Sequence, residues 1–265
     1  MDAFDQFKAM QKQGWAHFVP LEMNTMIPAA NLVKFAGIAP GQRVLDVACG
    51  TGVAAIPAAR LGAKVTALDL TPELLERARH NANLAGLEIE FHEGDVEKLP
   101  FADATFDVVI SQFGHIFAPR PALALSEMLR VLKPGGTIAF NTWPPTLLVG
   151  QMFALVARYM PPPPVPAAPP AQWGEKSIVI ERFGNSVRDV AFDTGLLLVP
   201  ALSPQHFRNF TEKTAGPVIK LVEMLEKNDP AKLAEFRREY DALSAPYFKG
   251  NAMHQEYLMT RAAKN

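Results

Sequence analysis

Residues 44–52 read Val-Leu-Asp-Val-Ala-Cys-Gly-Thr-Gly, a short apolar run that carries one acid and ends in a glycine turn. Val44, Leu45 and Val47 suit a strand buried on both faces, the environment of a parallel sheet covered by helices. Gly50 and Gly52 allow backbone conformations closed to other residues and let a bound group come close to the main chain. A buried strand running into such a turn commits the chain to a layered α/β fold with a ligand at the strand's carboxyl end.

Residues 41–143 alternate strand-like and helix-like segments, which predicts parallel βαβ units in a doubly wound sheet. Strands are expected at Arg43–Val47, Val65–Asp69, Ile89–Glu93, Phe106–Ser111 and Thr137–Thr142, and helices at Val53–Leu61, Pro72–Ala85 and Ala122–Leu132. Thr71-Pro72-Glu73 reads as an N-cap, a proline in the first turn and an acid at the positive helix end. Pro57 conflicts with the first helix unless that helix starts late or kinks, because proline lacks the N–H that an interior position needs.

Beyond residue 143 the periodicity weakens. Met160–Pro170, with the sequence MPPPPVPAAPP, reads as extended polyproline or a stiff loop. Strands are expected at Leu196–Leu202 and Glu256–Arg261, the latter antiparallel. Helical pattern covers Pro204–Thr214 and Pro217 to about Tyr247, broken at Asp229-Pro230. The expected organisation is therefore a helical extension or lid over 1–40, a ligand-binding core over 41–143, and a remainder of the same domain over 144–265.

With 265 residues and 49% hydrophobic content, the chain can bury a sizeable core. A net charge of -1 offers no basic stripe for polyanions, so nucleic acid is not an expected partner. No apolar run is long enough to span a membrane and the first residues do not resemble a signal peptide, which predicts a cytoplasmic protein. The single cysteine, Cys49, fits packing inside the turn, and no clustered Cys or His pattern suggests a metal.

Three acids stand at successive strand ends: Asp46, Asp69 and Asp95. That is where open α/β sheets bind ligands, and the set suits the ammonium, ribose hydroxyls and amino group of a nucleoside cofactor. Leu70 is placed to lie on a base, and Val96 to offer it a backbone N–H. Gly50-Thr-Gly-Val-Ala-Ala55 also satisfies G-x-G-x-x-A, the dinucleotide pattern, which keeps an NAD-dependent oxidoreductase as a rival.

VLDVACGTG, VTALDLTPELLERAR, GDVEKLPF, FDVVISQFGHIF and EMLRVLKPGGTIAF occur in that order. Together they resemble the class I S-adenosylmethionine-dependent methyltransferases, in particular the subgroup similar to ubiquinone and menaquinone biosynthesis C-methyltransferases. The resemblance implies a Rossmann-like, mostly parallel seven-stranded sheet with its last strand antiparallel. It also implies methyl transfer from S-adenosylmethionine to a small molecule. It places Asp46 near the methionine amino end, Asp69 on the ribose and Asp95 on the adenine amino group, with Ala48, Gly50, Thr51, Gly52, Ser111 and Gln112 as further cofactor contacts. Ala48 stands where the family has a glycine, a change that is tolerated if φ stays negative. A noncatalytic protein that binds the cofactor or its product is the alternative.

His115, directly after the fourth strand, is the candidate general base, since imidazole titrates in the useful range. Trp15, Phe18, Phe117 and Trp143 are the candidate acceptor contacts. Met23, Met26, Phe113, Phe153 and Trp173 extend this aromatic and apolar set, which suits an apolar or aromatic acceptor.

Overall fold

The computed structural model describes residues 2–265. Among them an eight-stranded sheet forms the middle layer: β1 (Arg43–Val47), β2 (Lys64–Asp69), β3 (Glu90–Glu93), β4 (Phe106–Gln112), β5 (Leu132–Thr142), β6 (Val187–Pro200), β7 (Phe248–Lys249) and β8 (Ala252–Lys264). Seven strands lie in the order β3-β2-β1-β4-β5-β8-β6, and the two-residue β7 pairs with β8 off that path. β1 to β5 pair in parallel, whereas β8 runs antiparallel to both β5 and β6. The chain order reverses direction of travel at β1 and β4, so their carboxyl ends form the crevice where such sheets take ligands.

The helices are α1 (Ala3–Trp15), α2 (Glu22–Ala36), α3 (Ala55–Arg60), α4 (Pro72–Leu84), α5 (Pro121–Val131), α6 (Leu148–Tyr159), α7 (Lys176–Phe183), α8 (Pro204–Thr214), α9 (Gly216–Asn228) and α10 (Pro230–Ser244). Alternation along the strands divides the core in two. Val44, Val108, Ile110 and Ala139 pack with Leu32, Ala55 and Leu75 of α2, α3 and α4. Their neighbours Leu45, Val109, Ile138 and Phe140 pack on the opposite face with Met128 of α5 and Leu155 of α6. Both faces are thus buried, which is why the central strands are apolar without interruption.

Several expectations change in detail. The helix carrying Pro57 begins only at Ala55, which puts the proline in the first turn, where its missing N–H costs no helix bond. Strand β5 starts at Leu132, five residues before the expected Thr137, and takes in the Lys133-Pro-Gly-Gly136 segment. The strand expected at Leu196–Leu202 is the end of the 14-residue β6, and the two-residue β7 adds an eighth strand to the seven expected. Helices α6 and α7 lie where the pattern looked irregular. Asp229 does separate two helices, and its carboxylate caps α10 by accepting from the Lys232 N–H at 3.0 Å. Val165, 4% exposed, anchors the proline-rich loop between α6 and the 3-10 turn at Pro170–Gly174.

Gly195 on β6 lies beneath Tyr257 of β8, its register partner. A Cβ there would sit 2.1 Å from the tyrosine ring. That ring is held by edge contacts with Phe113 and Trp143 and by the Asn31 amide, which donates to its hydroxyl at 3.0 Å. Gly195→Ala is therefore expected to destabilise by about 1–3 kcal/mol, read as a lower chemical-denaturation midpoint with an unchanged slope.

Candidate functional site

The turn after β1 is built from three left-handed residues: Ala48 (φ 53), Gly50 (φ 55) and Gly52 (φ 80). The two glycines serve different ends. A Cβ on Gly52 would press to 3.3 Å from the Ala78 Cβ, so this glycine lets α4 pack against the turn. Gly50 has no atom within 4 Å of its Cβ position, which leaves that side of the turn open to a ligand. Ala48 departs from the expectation of negative φ. Its left-handed backbone costs about 1–2 kcal/mol relative to the right-handed region. It also explains Gly114, where a Cβ would lie 2.5 Å from both the Cβ and the carbonyl oxygen of Ala48.

Two of the three strand-end acids are fully enclosed and differ in what they bond. Asp69 accepts from the Gly50 N–H and from the Thr71 N–H, each at 2.8 Å, so it ties the glycine turn to the start of α4. The Thr71 hydroxyl, expected to cap that helix, makes no cap bond. Asp46 is 0% exposed, and neither of its oxygens has a hydrogen-bond partner among the described residues. Burial pushes its carboxyl up to about 8. The nearby Ala55 N–H offsets part of this, and the charge of Asp69 adds to it. A buried carboxylate left without donors is costly, and a cationic or N–H donor ligand is what would satisfy it.

The N-terminal helices close over this crevice. Glu22, 3% exposed at the start of α2, accepts from Arg77 of α4 at 2.9 and 3.1 Å and from Asn81 at 2.8 Å. Burial would raise its carboxyl, but Arg77 and Asn81 hold it below the ordinary range. Asn81 also donates to the Thr51 carbonyl at 3.1 Å, so α2, α4 and the glycine turn share one network. Asp95, the third of these acids, accepts from Lys8 of α1 at 2.5 Å and from the Glu97 N–H at 2.9 Å. Lys8 and Glu22 escaped the sequence reading because a charge in an amphipathic helix ordinarily belongs to its solvated face.

At the end of β4 the side chains of three expected site residues are engaged or enclosed within the protein. The Ser111 hydroxyl is buried and donates to the Val47 carbonyl at 2.7 Å, so it joins β4 to β1. Gln112 donates to the Thr25 carbonyl at 2.6 Å and secures α2. His115 is 0% exposed among Phe140 and Trp173, each 4.7 Å away between ring centroids. Neither ring nitrogen has a partner among the described residues. Burial, aided by the charge of Arg182, pushes its pKa down to about 3. An imidazole so placed is held in its neutral form.

Three of the four expected acceptor contacts come together. Trp15 lies 4.4 Å from Phe117 and 6.4 Å from Phe18, while Phe153 extends the group 5.8 Å from Phe117. All four are partly exposed. Trp143 belongs to a second group, stacked on Phe113 at 4.1 Å and 9°. Trp173 is core, and Met23 and Met26 face solvent, 76% and 43% exposed. Leu70 is half-buried beside Asp69, and Val96 is 9% exposed. A cavity of about 730 Å³ lies at the amino ends of β1 to β3, lined by Arg43, Lys64 and Glu90, at the opposite end of the sheet from the glycine turn.

The family model described as a methyltransferase domain matches residues 45–140. The uncharacterized protein Rv1405c of Mycobacterium tuberculosis is 38% identical over 234 residues, covering 88% of this chain and 85% of that protein. The demethylmenaquinone methyltransferase of Renibacterium salmoninarum is 45% identical over 107 residues, 40% of this chain and 44% of its own length. Among solved structures, a provisionally named methyltransferase of Bacillus halodurans shares the fold with a TM-score of 0.60 at 22% identity, covering 89% of this chain and 98% of that one.

Two outcomes follow from the turn and its acid. Ala48→Gly is expected to stabilise the protein by roughly 0.5–1 kcal/mol, the relieved strain less the added freedom of the unfolded chain, seen as a thermal midpoint higher by about 1–2 °C. For Asp46, the folded form holds a proton that the unfolded chain, titrating near 3.8, has lost. Ligand-free stability is therefore greatest below the unfolded pKa and falls as pH rises toward 8. Asp46→Asn is expected to flatten that fall; an unchanged slope between pH 5 and 8 would contradict the burial of this carboxyl.

Proposed function

The chain belongs to the class I S-adenosylmethionine-dependent methyltransferases, and from that premise we propose that it methylates a small apolar or aromatic acceptor by in-line displacement, releasing S-adenosylhomocysteine. The cofactor is S-adenosylmethionine, and the crevice fits it. Asp46 has both oxygens unpartnered among the described residues beside the open side of Gly50. That orphaned carboxylate is the observation that carries the reading, because an ammonium group satisfies it and a nicotinamide dinucleotide brings none.

In this reading Asp46 receives the methionine ammonium. Each Asp69 oxygen already accepts one backbone N–H and keeps a second lone pair for a ribose hydroxyl. Asp95 keeps the same capacity toward the adenine amino group, with Leu70 against the base and Val96 beside it. Ala48, Thr51 and Gly52 shape the turn, and Ser111 and Gln112 act by holding β4 and α2 rather than by side-chain contact. When bound, the cofactor supplies a sulfonium whose methyl carbon needs no metal to be transferable.

The protein's contribution is then alignment and exclusion of water, which for a well-held pair of reactants accounts for much of a rate. Trp15, Phe18 and Phe117 form the wall against which an apolar acceptor packs, and Trp143 stands behind Phe113 at the end of β5. With His115 enclosed and neutral, this reading assigns no imidazole base and favours an acceptor that reacts already ionised or as a neutral nucleophile. The demethylmenaquinone methyltransferase likeness, confined to the core, is consistent with an aromatic acceptor without selecting one.

The test is turnover: protein, S-adenosylmethionine and a panel of phenols, hydroquinones and aliphatic amines, with S-adenosylhomocysteine quantified by mass spectrometry. Acceptor-dependent product is expected with the aromatic set. Binding without turnover across the panel would favour a noncatalytic role. Trp15→Ala should raise acceptor KM by about tenfold while leaving the cofactor Kd near that of the unaltered protein. His115→Phe should retain activity and the shape of the pH profile; loss of activity together with loss of the acidic limb would restore His115 as the base.

A further inference from the structure

Lys8 is a buried cation that the chemistry described so far does not use. Its side chain is 8% exposed and its ammonium reaches both Asp95 and Glu97, the latter 1% exposed. Glu97 is also held by Arg120, whose backbone N–H and Nε donate to it at 2.7 and 2.8 Å. Two acids and two cations therefore alternate in one chain, Arg120 to Glu97 to Lys8 to Asp95, with no excess charge. Of the two acids, only Asp95 keeps an exposed side chain, at 27% against 1% for Glu97.

The helix that delivers Lys8 is itself fixed. Lys12 pairs with Glu93 at 2.6 Å, and the Arg120 guanidinium lies 4.5 Å from the Phe4 ring centroid. On the other side α1 meets α9 so closely that a Cβ on Gly216 would lie 2.7 Å from the Gly14 carbonyl oxygen. A lysine tethered at both ends of its helix and at its own tip does more than neutralise Asp95. It fixes which way the carboxylate points. With one oxygen held by Lys8 and the other by the Glu97 N–H, rotation of the carboxylate is blocked and the remaining lone pairs have set directions.

We propose that Lys8 is a positioning residue for the nucleoside end of the cofactor, holding Asp95 in the orientation that accepts the adenine 6-amino group. The inference rests on the reading that Asp95 meets that group, and it couples closure of α1 to recognition of the base. A purely structural lysine would instead stabilise α1 and affect all ligands alike.

The experiment is calorimetric titration of the full chain with S-adenosylhomocysteine and with its analogue lacking the 6-amino group. A hydrogen bond from the amino group to a fixed carboxylate predicts a preference of about tenfold or more for the adenine form in the unaltered protein. Lys8→Met should reduce that preference to within about threefold, mainly by weakening the adenine form, and Lys8→Arg should recover most of it. Lys8→Gln, which keeps a donor but no charge, is measured in parallel and should lie between, so that the comparison survives a Met variant that fails to fold. Equal weakening of both ligands by these variants, or an undiminished preference, overturns the positioning role. If the unaltered protein shows no preference, the Asp95 assignment itself fails, and the Lys8 inference with it.

Discussion

At the carboxyl ends of β1 and β2 two carboxylates sit in the same enclosed crevice, one with its bonds made and one with none. Asp69 is committed to the backbone, holding Gly50 and Thr71, and so fixes where the glycine turn stands relative to α4. Asp46 has no hydrogen-bond partner among the described residues, with only the Ala55 N–H nearby, and it cannot reach water. An ionised carboxylate in that position is a standing cost to the folded chain, which the protein limits by keeping the group protonated. The same cost becomes a binding device when a cation arrives, because the ligand supplies the hydrogen bonds that folding left unmade. Much of the surrounding architecture maintains that condition: α2 and α3 cover the acid, Glu22 and Asn81 secure the turn, and α1 closes the adjoining rim.

The strain in the turn belongs to the same arrangement. Ala48 and Phe113 are both non-glycine residues with positive φ, at 53° and 58°, and Gly114 lets the two segments touch. Such conformations persist where surrounding contacts over-determine them. Here the Ser111 hydroxyl bond to Val47 and the stacking of Phe113 on Trp143 supply the restraint. The ends of β1 and β4 are thereby set at a fixed distance, with the cofactor crevice on one side and aromatic surface on the other.

The placing of the acids and the glycine turn at the strand ends was legible in the sequence because position and residue type coincide there. Apolar strands ending in Asp46 and Asp69, with a glycine turn between, leave few arrangements open. The β1 to β5 core was legible for the same reason, since strands covered on both faces read as unbroken apolar runs. β6 was seen only at its end because Arg188, Asp189 and Asp193 interrupt the run, as an edge strand tolerates. α6 and α7 were hidden by the proline-rich loop between them, which masks periodicity on either side. Lys8 and Glu22 carried no signal: only tertiary packing turns a helix's charged face inward. The burial of His115 beside Phe140 and Trp173 carried no signal either, since residue type and place in the chain say nothing of the aromatic packing around it.

The central claim, that Asp46 is an uncompensated acid awaiting a cation, can be measured directly by following its carboxyl carbon through a pH titration by nuclear magnetic resonance, with and without S-adenosylhomocysteine. Without ligand the group should titrate near 8, and with the ligand's ammonium against it the midpoint should fall below neutrality. A midpoint near the ordinary value of 3.8 in the ligand-free protein, or no movement on binding, would contradict the account.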